Sequence, residues 1–362
     1  MTTIHDVARA ADVSIATVSR ALNGSDHVSA ATRQRVGAAA AALNYWPNGA
    51  ARSLSTRRTH ALGVLLPDLY GEFFSEVIRG VDHAAREEKL HTLVSSSHAD
   101  ADADTVLSAA RSMRGRIDGL VIMAPDARSA EAIERIRQMM FVVLVNPRFE
   151  VDRCSSVSIA NFDGARAVTE HLLSLGHRRV ATIAGPQGNV DADERLRGYR
   201  EALFRAGIEP SSRLDLRGDF TEASGYECAD TVLRRRPLPT AVFAANDSMA
   251  VGLVSALGMR GIRVPGDMAV VGFDDIAIAR YLNPPLTTVH VDAYELGARA
   301  VRLLISSIAF SAPASTTHEV LPAPLVIRES CGSGLSRARQ TRPRAGHARA
   351  PSHSHPEGGP PS

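Results

Sequence analysis

Within the stretch SIATVSRALN, residues 14–23, Ile15, Val18 and Leu22 fall at helical spacing, leaving Ala16, Thr17, Ser19, Arg20 and Asn23 facing outward. Arg20 carries a planar fork that can grip guanine O6 and N7 together, while Ile15 and Ala16 offer apolar surface to thymine methyls. Thr17, Ser19, Asn23, His27, Ser29 and Thr32 are short hydrogen-bonding side chains suited to phosphate oxygens, which position a protein without specifying sequence. A helix of about two turns is unstable alone in water. It needs neighbours, and its small outer face is shaped to lie against something.

The neighbours are legible on both sides. Thr3 with Asp6 spells a capping box ahead of the apolar stripe Ile4, Val7, Ala8 and Ala11. DVS at 12–14 is a three-residue turn, and Ser14 caps the second helix. Ser29 caps a third, with Val28 as a hydrophobic staple, and Pro47 ends it. Asn48 could cap a short fourth segment, GAARSLS. The expected core is Val7, Ala8, Val18, Leu22, Val36 and Leu43. Two short helices about a tight turn, the second with a small polar face, make a helix-turn-helix whose second helix enters the DNA major groove. A generic helical hairpin is the bland alternative.

From Ala61 the rhythm changes. ALGVLL, HTLVSS, GLVIMA, FVVLV, SVSIA, RVATIAG, TAVFAA, MAVVGF and TTVHV alternate with amphipathic stretches. Runs apolar on both faces predict buried parallel strands in βαβ units. Nine such runs exceed one compact sheet, and the break near residues 146–156 predicts two α/β lobes. From about residue 331 the chain is rich in Pro, Gly, Ser and Arg, which predicts disorder.

Composition narrows the function classes. The 362 residues carry a net charge of +2, but residues 1–60 hold seven Arg against three Asp, and residues 333–362 five Arg against one Glu. Basic ends flanking an acidic middle predict a polyanionic partner at one end. The apolar runs are too short to span a membrane, and the N-terminus lacks the basic flank and apolar segment of a secretory signal. A cytoplasmic location without membrane contact is expected. Three widely spaced cysteines, Cys154, Cys228 and Cys331, predict reduced thiols rather than disulfides or a metal site. No G-x-S-x-G, P-loop, H-E-x-x-H or G-x-G-x-x-G after a strand occurs, so no enzyme, catalytic residue, cofactor or metal is expected. His171 and His177 lack metal spacing, and His353 with His355 reads as a solvated tail.

TIHDVARAADVSIATVSRALN, HVSAATRQRV and LNYWPNGAARSLSTRRT together resemble the head-piece of the LacI/GalR (lactose-repressor) family of bacterial transcription regulators. The resemblance continues in order through LGVLLPDLYGEFFSEVIRGV, HLLSLGHRRVATIAGP, ERLRGYREAL, PTAVFAANDSMAVG, VVGFDD and PPLTTVHVD, to about residue 329. It implies a small all-α helix-turn-helix head-piece (1–46), a hinge helix and linker (47–59), and an α/β two-lobed periplasmic-binding-protein-like (type I) effector and dimerisation domain (60–329). A disordered tail (330–362) would follow. Tyr45 and Asn48 join the DNA-contacting set. Leu54 takes the position of the apolar wedge in the minor groove, with the small Ala51 packed beside it; such a wedge kinks the duplex.

The same resemblance assigns effector contacts to Phe73, Phe74, Asn146, Arg195, Phe220, Asn246 and Asp274, in a cleft between the lobes. Taken singly, Phe73 or Phe74 reads as core, Arg195 as a surface charge, and Asp247 or Asp275 as a helix cap. Together the set suits a hydroxyl-rich ring, with carboxylate, amide and guanidinium on the hydroxyls and an aromatic on the apolar face. The chain departs from the family at Val291, where a polar residue is frequent, and at Asn146, where Asp is common. The partners implied are double-stranded, pseudo-palindromic operator DNA, a sugar-like small-molecule effector and a second copy of the chain, since two-fold proteins read two-fold sites. The tail has no leucine heptads, so no coiled-coil tetramer is expected. A purine- or other metabolite-responsive regulator of the same architecture is the alternative, with a sugar-binding transport protein as the runner-up class.

Overall fold

The computed structural model describes residues 2–22, 27–46, 58–97, 103–123, 130–149, 151–309 and 316–333. Asn23, Asn48, Ala51, Leu54, the expected fourth helical segment, the His353–His355 pair and residues 334–362 lie outside the described residues.

Three helices open the chain: α1 (Ile4–Ala10), α2 (Ile15–Leu22) and α3 (Ala30–Ala42). They share a core of Val7, Ala8, Ala11, Val18, Ala21, Val28, Val36 and Ala40, with Leu22, Leu43 and Tyr45 packed at its margin. Local chemistry sets each start. The Asp6 carboxylate accepts from the Thr3 N–H at 2.9 Å and from the Thr3 hydroxyl at 2.8 Å. The Ser14 hydroxyl accepts from the Thr17 N–H at 3.1 Å, and Ser29 from the Thr32 N–H at 3.3 Å. Asp12 takes the left-handed conformation, φ 47°, and so folds the chain back between α1 and α2.

The rest divides between two compact units. The first takes residues up to 160, 188–191 and 291–322; the second takes 161–187, 192–290 and residues from 323 onward. In the first, β1 (Ala61–Leu66), β2 (His91–Ser96), β3 (Gly119–Met123), β4 (Phe141–Val145), β5 (Ser155–Ile159) and β11 (His318–Leu321) form one sheet, ordered β11-β5-β4-β3-β1-β2. Every pairing in it is parallel. Its helices include α4 (Glu72–Glu87), α5 (Ala103–Met113), α6 (Ala130–Arg137) and α11 (Ala293–Ala309).

The second unit holds a four-stranded parallel sheet ordered β7-β6-β8-β9, from β7 (Asp215–Arg217), β6 (Val180–Ala184), β8 (Ala241–Ala244) and β9 (Ala269–Val271). The antiparallel pair β10 (Thr288–Val289) and β12 (Leu325–Val326) completes it. Helices α7 (Asn161–Ser174), α9 (Glu222–Arg234) and α10 (Asp247–Met259) belong to this unit, and α8 (Val190–Arg205) leads into it from the first.

Two expectations need correction. The division between lobes falls after β5, at residue 160, because β5 pairs with β4 and β11 rather than starting a new sheet. Residues 330–333 are not tail. Ser330 is fully buried, its N–H and hydroxyl oxygen engaged with Pro285 and Thr287, and its carbonyl and hydroxyl bonded to Val270. A serine that satisfies the flank of β9 costs less to order than to leave out.

Candidate functional site

On α2, Val18 and Ala21 face the three-helix core, while Ile15, Ala16 and Arg20 are exposed. Ile15 keeps 40% of its surface open. Thr17 and Ser19 are half-buried, and His27 and Ser29 are exposed. Four of the hydroxyls serve the fold locally: Ser14 meets Thr17 at 2.8 Å, and Ser29 donates to Thr32 at 2.9 Å. Each pair fixes a helix start and still presents oxygen atoms at the surface. Tyr45 packs half-buried against the core, and Trp46 next to it is 82% exposed.

The second constellation forms where the order of the four-stranded sheet reverses, between β6 and β8. Ligands of open α/β sheets bind beyond strand C-termini at such a point. Phe220 follows β7, Ala245 and Asn246 follow β8, and Phe273 and Asp274 follow β9. Arg195 reaches this end from α8 and is 4% exposed. Its Nε donates to Asn161 Oδ1 at 2.8 Å, Nη1 to the Ala245 carbonyl at 2.6 Å, and Nη2 lies 3.0 Å from Asp274 Oδ1. The guanidinium carbon sits 3.8 Å from the Phe273 ring centre and 6.0 Å from that of Phe220. The two hydrogen bonds use two of the five N–H groups of the fork, and the contact with Asp274 is an ion pair. Arg195, a surface charge when taken alone, is thus a buried, oriented donor.

Backbone strain collects at the same place. Phe220 has φ 71° and Asp274 φ 108°, conformations that cost about 1–3 kcal/mol and persist only where the surroundings enforce them. The enforcement is visible. Asn246 caps α10 by accepting from the Met249 N–H at 3.0 Å, and its Nδ2 donates to the Phe220 carbonyl at 2.9 Å. The Phe220 ring covers Gly185, where a Cβ would come within 2.3 Å of it. Asn246, assigned to the ligand, therefore also holds the Phe220 backbone.

Asp247 and Asp275 are not helix caps; Asn246 takes that role. Asp247 is wholly buried, accepting the Thr288 hydroxyl at 2.6 Å and the Ile276 N–H at 3.0 Å, while its own N–H donates to the Phe273 carbonyl at 2.8 Å. It fastens both ends of the segment that carries Asp274. Burial, reinforced by the Asp274 charge, holds its carboxyl well above the usual carboxylate range. Asp275 lies beside Arg328, whose Nη2 is at 2.5 Å, and His290, whose Nδ1 is at 3.1 Å. Sequence patterns missed Asp247, Asn161 and Phe273 as organisers of the site, because their roles lie in distant partners.

In the first unit, Asn146 follows β4 with φ 46°. Its Nδ2 donates to Asp191 at 3.2 Å and its Oδ1 accepts from the Ile159 N–H at 2.9 Å, so the amide is occupied by its own unit. Phe73 and Phe74 open α4 half-buried and edge to face, ring centres 5.4 Å apart, rather than in the core. Val291 is buried. His171 lies 3.3 Å from Cys331 Sγ, and His177 2.9 Å from the Thr240 hydroxyl. Cys154, Cys228 and Cys331 are free and buried. Among the described residues no helix is long and apolar enough to cross a membrane.

Comparison with known proteins places the two parts of the chain in a family. Residues 3–48 match the family described as bacterial regulatory proteins, lacI family, and residues 169–331 match a periplasmic binding protein-like domain. The chain is 36% identical over 310 residues to the ribose operon repressor of Escherichia coli (strain K12), covering 85% of this chain and 93% of that one. It is 31% identical to the lac repressor in a structure of the dimer bound to operator and the anti-inducer ONPF, with a TM-score of 0.81 over 91% of this chain and 99% of that one. A complex of the transcriptional regulator CelR with cellobiose is 34% identical, with a TM-score of 0.69, 91% of this chain and all of that one being covered. With a helix-turn-helix that exposes Ile15, Ala16 and Arg20 and an α/β body that converges on Arg195, this chain belongs to the LacI family, as a DNA-binding transcription regulator with a small-molecule effector domain.

Proposed function

We propose that the protein is a repressor that reads a pseudo-palindromic operator as a homodimer, and that a sugar or sugar derivative held at the strand ends of the second unit changes its affinity for DNA. Arg20 reads a base, Ile15 and Ala16 meet thymine methyls, and Thr17, Ser19, His27, Ser29 and Thr32 position the helix on phosphates. The observation that carries the effector assignment is Arg195. It is a buried guanidinium with N–H groups to spare, stacked on Phe273 and aligned by Asp274 and Asn161. That arrangement suits vicinal hydroxyls, which need donors and acceptors in fixed directions, with Phe220 as the wall for an apolar sugar face. Relatives whose names carry ribose or whose structures carry cellobiose support the class.

Ligand and operator are coupled only as far as the ligand prefers one arrangement of the protein, and about 1–3 kcal/mol is typical. Calorimetric titration of ribose, cellobiose and purine bases, with and without operator, tests this. A sugar should bind, and operator should change its affinity by the factor by which the sugar changes operator affinity. Binding by a purine alone, or a sugar response left intact in Arg195→Ala, would overturn the assignment.

A further inference from the structure

The start of β1 carries more hydrogen bonding than a strand needs. Within the sheet, the Asp118 N–H donates to the Ala61 carbonyl at 2.7 Å, and the His91 N–H to the His60 carbonyl at 2.9 Å. Those two bonds extend the ladders that join β1 to β3 and to β2. The Asp118 side chain reaches further. Its Oδ1 accepts from the Thr59 N–H at 2.6 Å and from the Thr59 hydroxyl at 2.8 Å, and its Oδ2 accepts from the His60 N–H at 3.0 Å. One half-buried carboxylate thus holds three donors on two consecutive residues, 59 and 58 positions earlier in the chain.

The conformation held there is a costly one. His60 has φ 54°, in the left-handed region that a residue other than glycine keeps only where its surroundings impose it. Hydrogen bonds to an ionised acceptor are the stronger class, and three on one carboxylate fix both residues. The sheet does not require this. Strand β1 is already paired on both sides, Ala61 to Leu66 with β2 and Leu62 to Leu65 with β3. Thr59 and His60 precede the strand, on the side from which the chain arrives from the helix-turn-helix.

We propose that Asp118 is a positioning residue for operator reading: by clamping Thr59 and His60 it fixes the point and direction at which the chain leaves the six-stranded sheet for the head-piece. The inference rests on the reading of the protein as a homodimer on a pseudo-palindromic operator. Two head-pieces on one duplex help each other only as far as their attachments hold them at the separation of the half-sites. A fixed exit narrows the positions each head-piece can take. A loose exit spreads them, which lowers the effective concentration of the second head-piece and admits wrong separations.

Duplexes that differ only in half-site spacing test it. A tightly bound duplex is selected from a randomised library with the full chain, and base pairs are then inserted at its centre. Each insertion moves the half-sites about 3.4 Å apart and turns them by about 34°. The wild type should lose at least about tenfold in affinity on one insertion. Asp118→Ala should bind the selected duplex at least about tenfold more weakly, yet lose less than about threefold on the insertion. Thr59→Val, which removes only the hydroxyl donor, should fall between them, and it decides the matter alone if Asp118→Ala does not fold. Both variants should bind a duplex bearing one half-site as the wild type does. A wild type indifferent to spacing would sink the homodimer reading and this proposal with it. Spacing discrimination as sharp in the variants as in the wild type, or binding weakened equally at every spacing, would overturn the clamp alone and leave the homodimer reading standing.

Discussion

The reading helix and the Arg195 cluster are built in opposite ways. Helix α2 stands on contacts three residues apart, with Ser14 on Thr17 and Val18 and Ala21 turned into a small core, and its working side chains are exposed. Arg195 stands on Asn161, Ala245 and Asp274, which lie 34 to 79 positions away in sequence, and it is buried. The first is a short local structure with an exposed face. The other is a buried cluster whose backbone strain, at Phe220 and Asp274, is held by partners distant in sequence. Substitutions should therefore separate function from stability in the first and merge them in the second.

Arg195→Ala should show the merger most strongly. It leaves the buried Asp274 carboxylate uncompensated, a loss of about 3–5 kcal/mol in the second unit, together with loss of the ligand response. Denaturant unfolding followed by circular dichroism measures the first, calorimetry the second. The paired change Arg195→Met with Asp274→Asn should recover much of the stability and none of the ligand response, since it removes both charges at once and Asn tolerates the positive φ at 274. If the single substitution proved neutral in stability, the buried pair would not hold this end of the sheet together.

Arg20→Ala should show the separation. Operator affinity should fall by about 1–3 kcal/mol per half-site, with preference relaxed at one base pair, while the unfolding midpoint stays put. Thr17→Ala should weaken binding to all sequences more evenly. Binding to a randomised duplex library before and after the change reads both effects.

Protonation sharpens the contrast further. The Asp247 carboxyl is raised in the folded protein, so the folded state binds more protons than the unfolded one between about pH 3.8 and the raised value. Stability of the second unit should accordingly fall as pH rises through that window. Asp247→Asn should flatten the fall, checked by thermal unfolding across pH. In the head-piece the sign reverses. The Thr3 backbone N–H, then the Thr3 hydroxyl, hold the exposed Asp6 carboxyl below the usual range. Its contribution is present above pH 3.8 and lost as pH falls through the lowered value, and Asp6→Asn should remove that dependence. This is the smallest effect expected, visible as earlier fraying of α1 in amide exchange.

Much of the architecture was legible for the same reason that α2 was. ALGVLL became β1, FVVLV β4 and TAVFAA the core of β8, because a strand buried on both faces needs an unbroken apolar run. The strands that escaped notice, β7 in DLR, β11 in HEVL and β12 in LV, are short or at edges, and the first two carry charges, so their strand character comes from the neighbour that pairs with them. The same applies to Ser330, which composition assigned to a tail and burial assigns to the flank of β9.

By itself, the sequence determined what depends on near neighbours: the caps at Thr3, Ser14 and Ser29, the turn at Asp12, the outward face of α2 and the apolar runs of the sheets. Tertiary structure alone decided that Arg195 is a buried donor rather than a surface charge. It also decided that Asn246 rather than Asp247 caps α10, and that Asp247 ties down the segment carrying Asp274. The physical reason is range. A cap or an apolar period is satisfied within one or two turns of chain, whereas a buried charge survives only where distant strands deliver its partners, and no spacing in the sequence records which strands will meet.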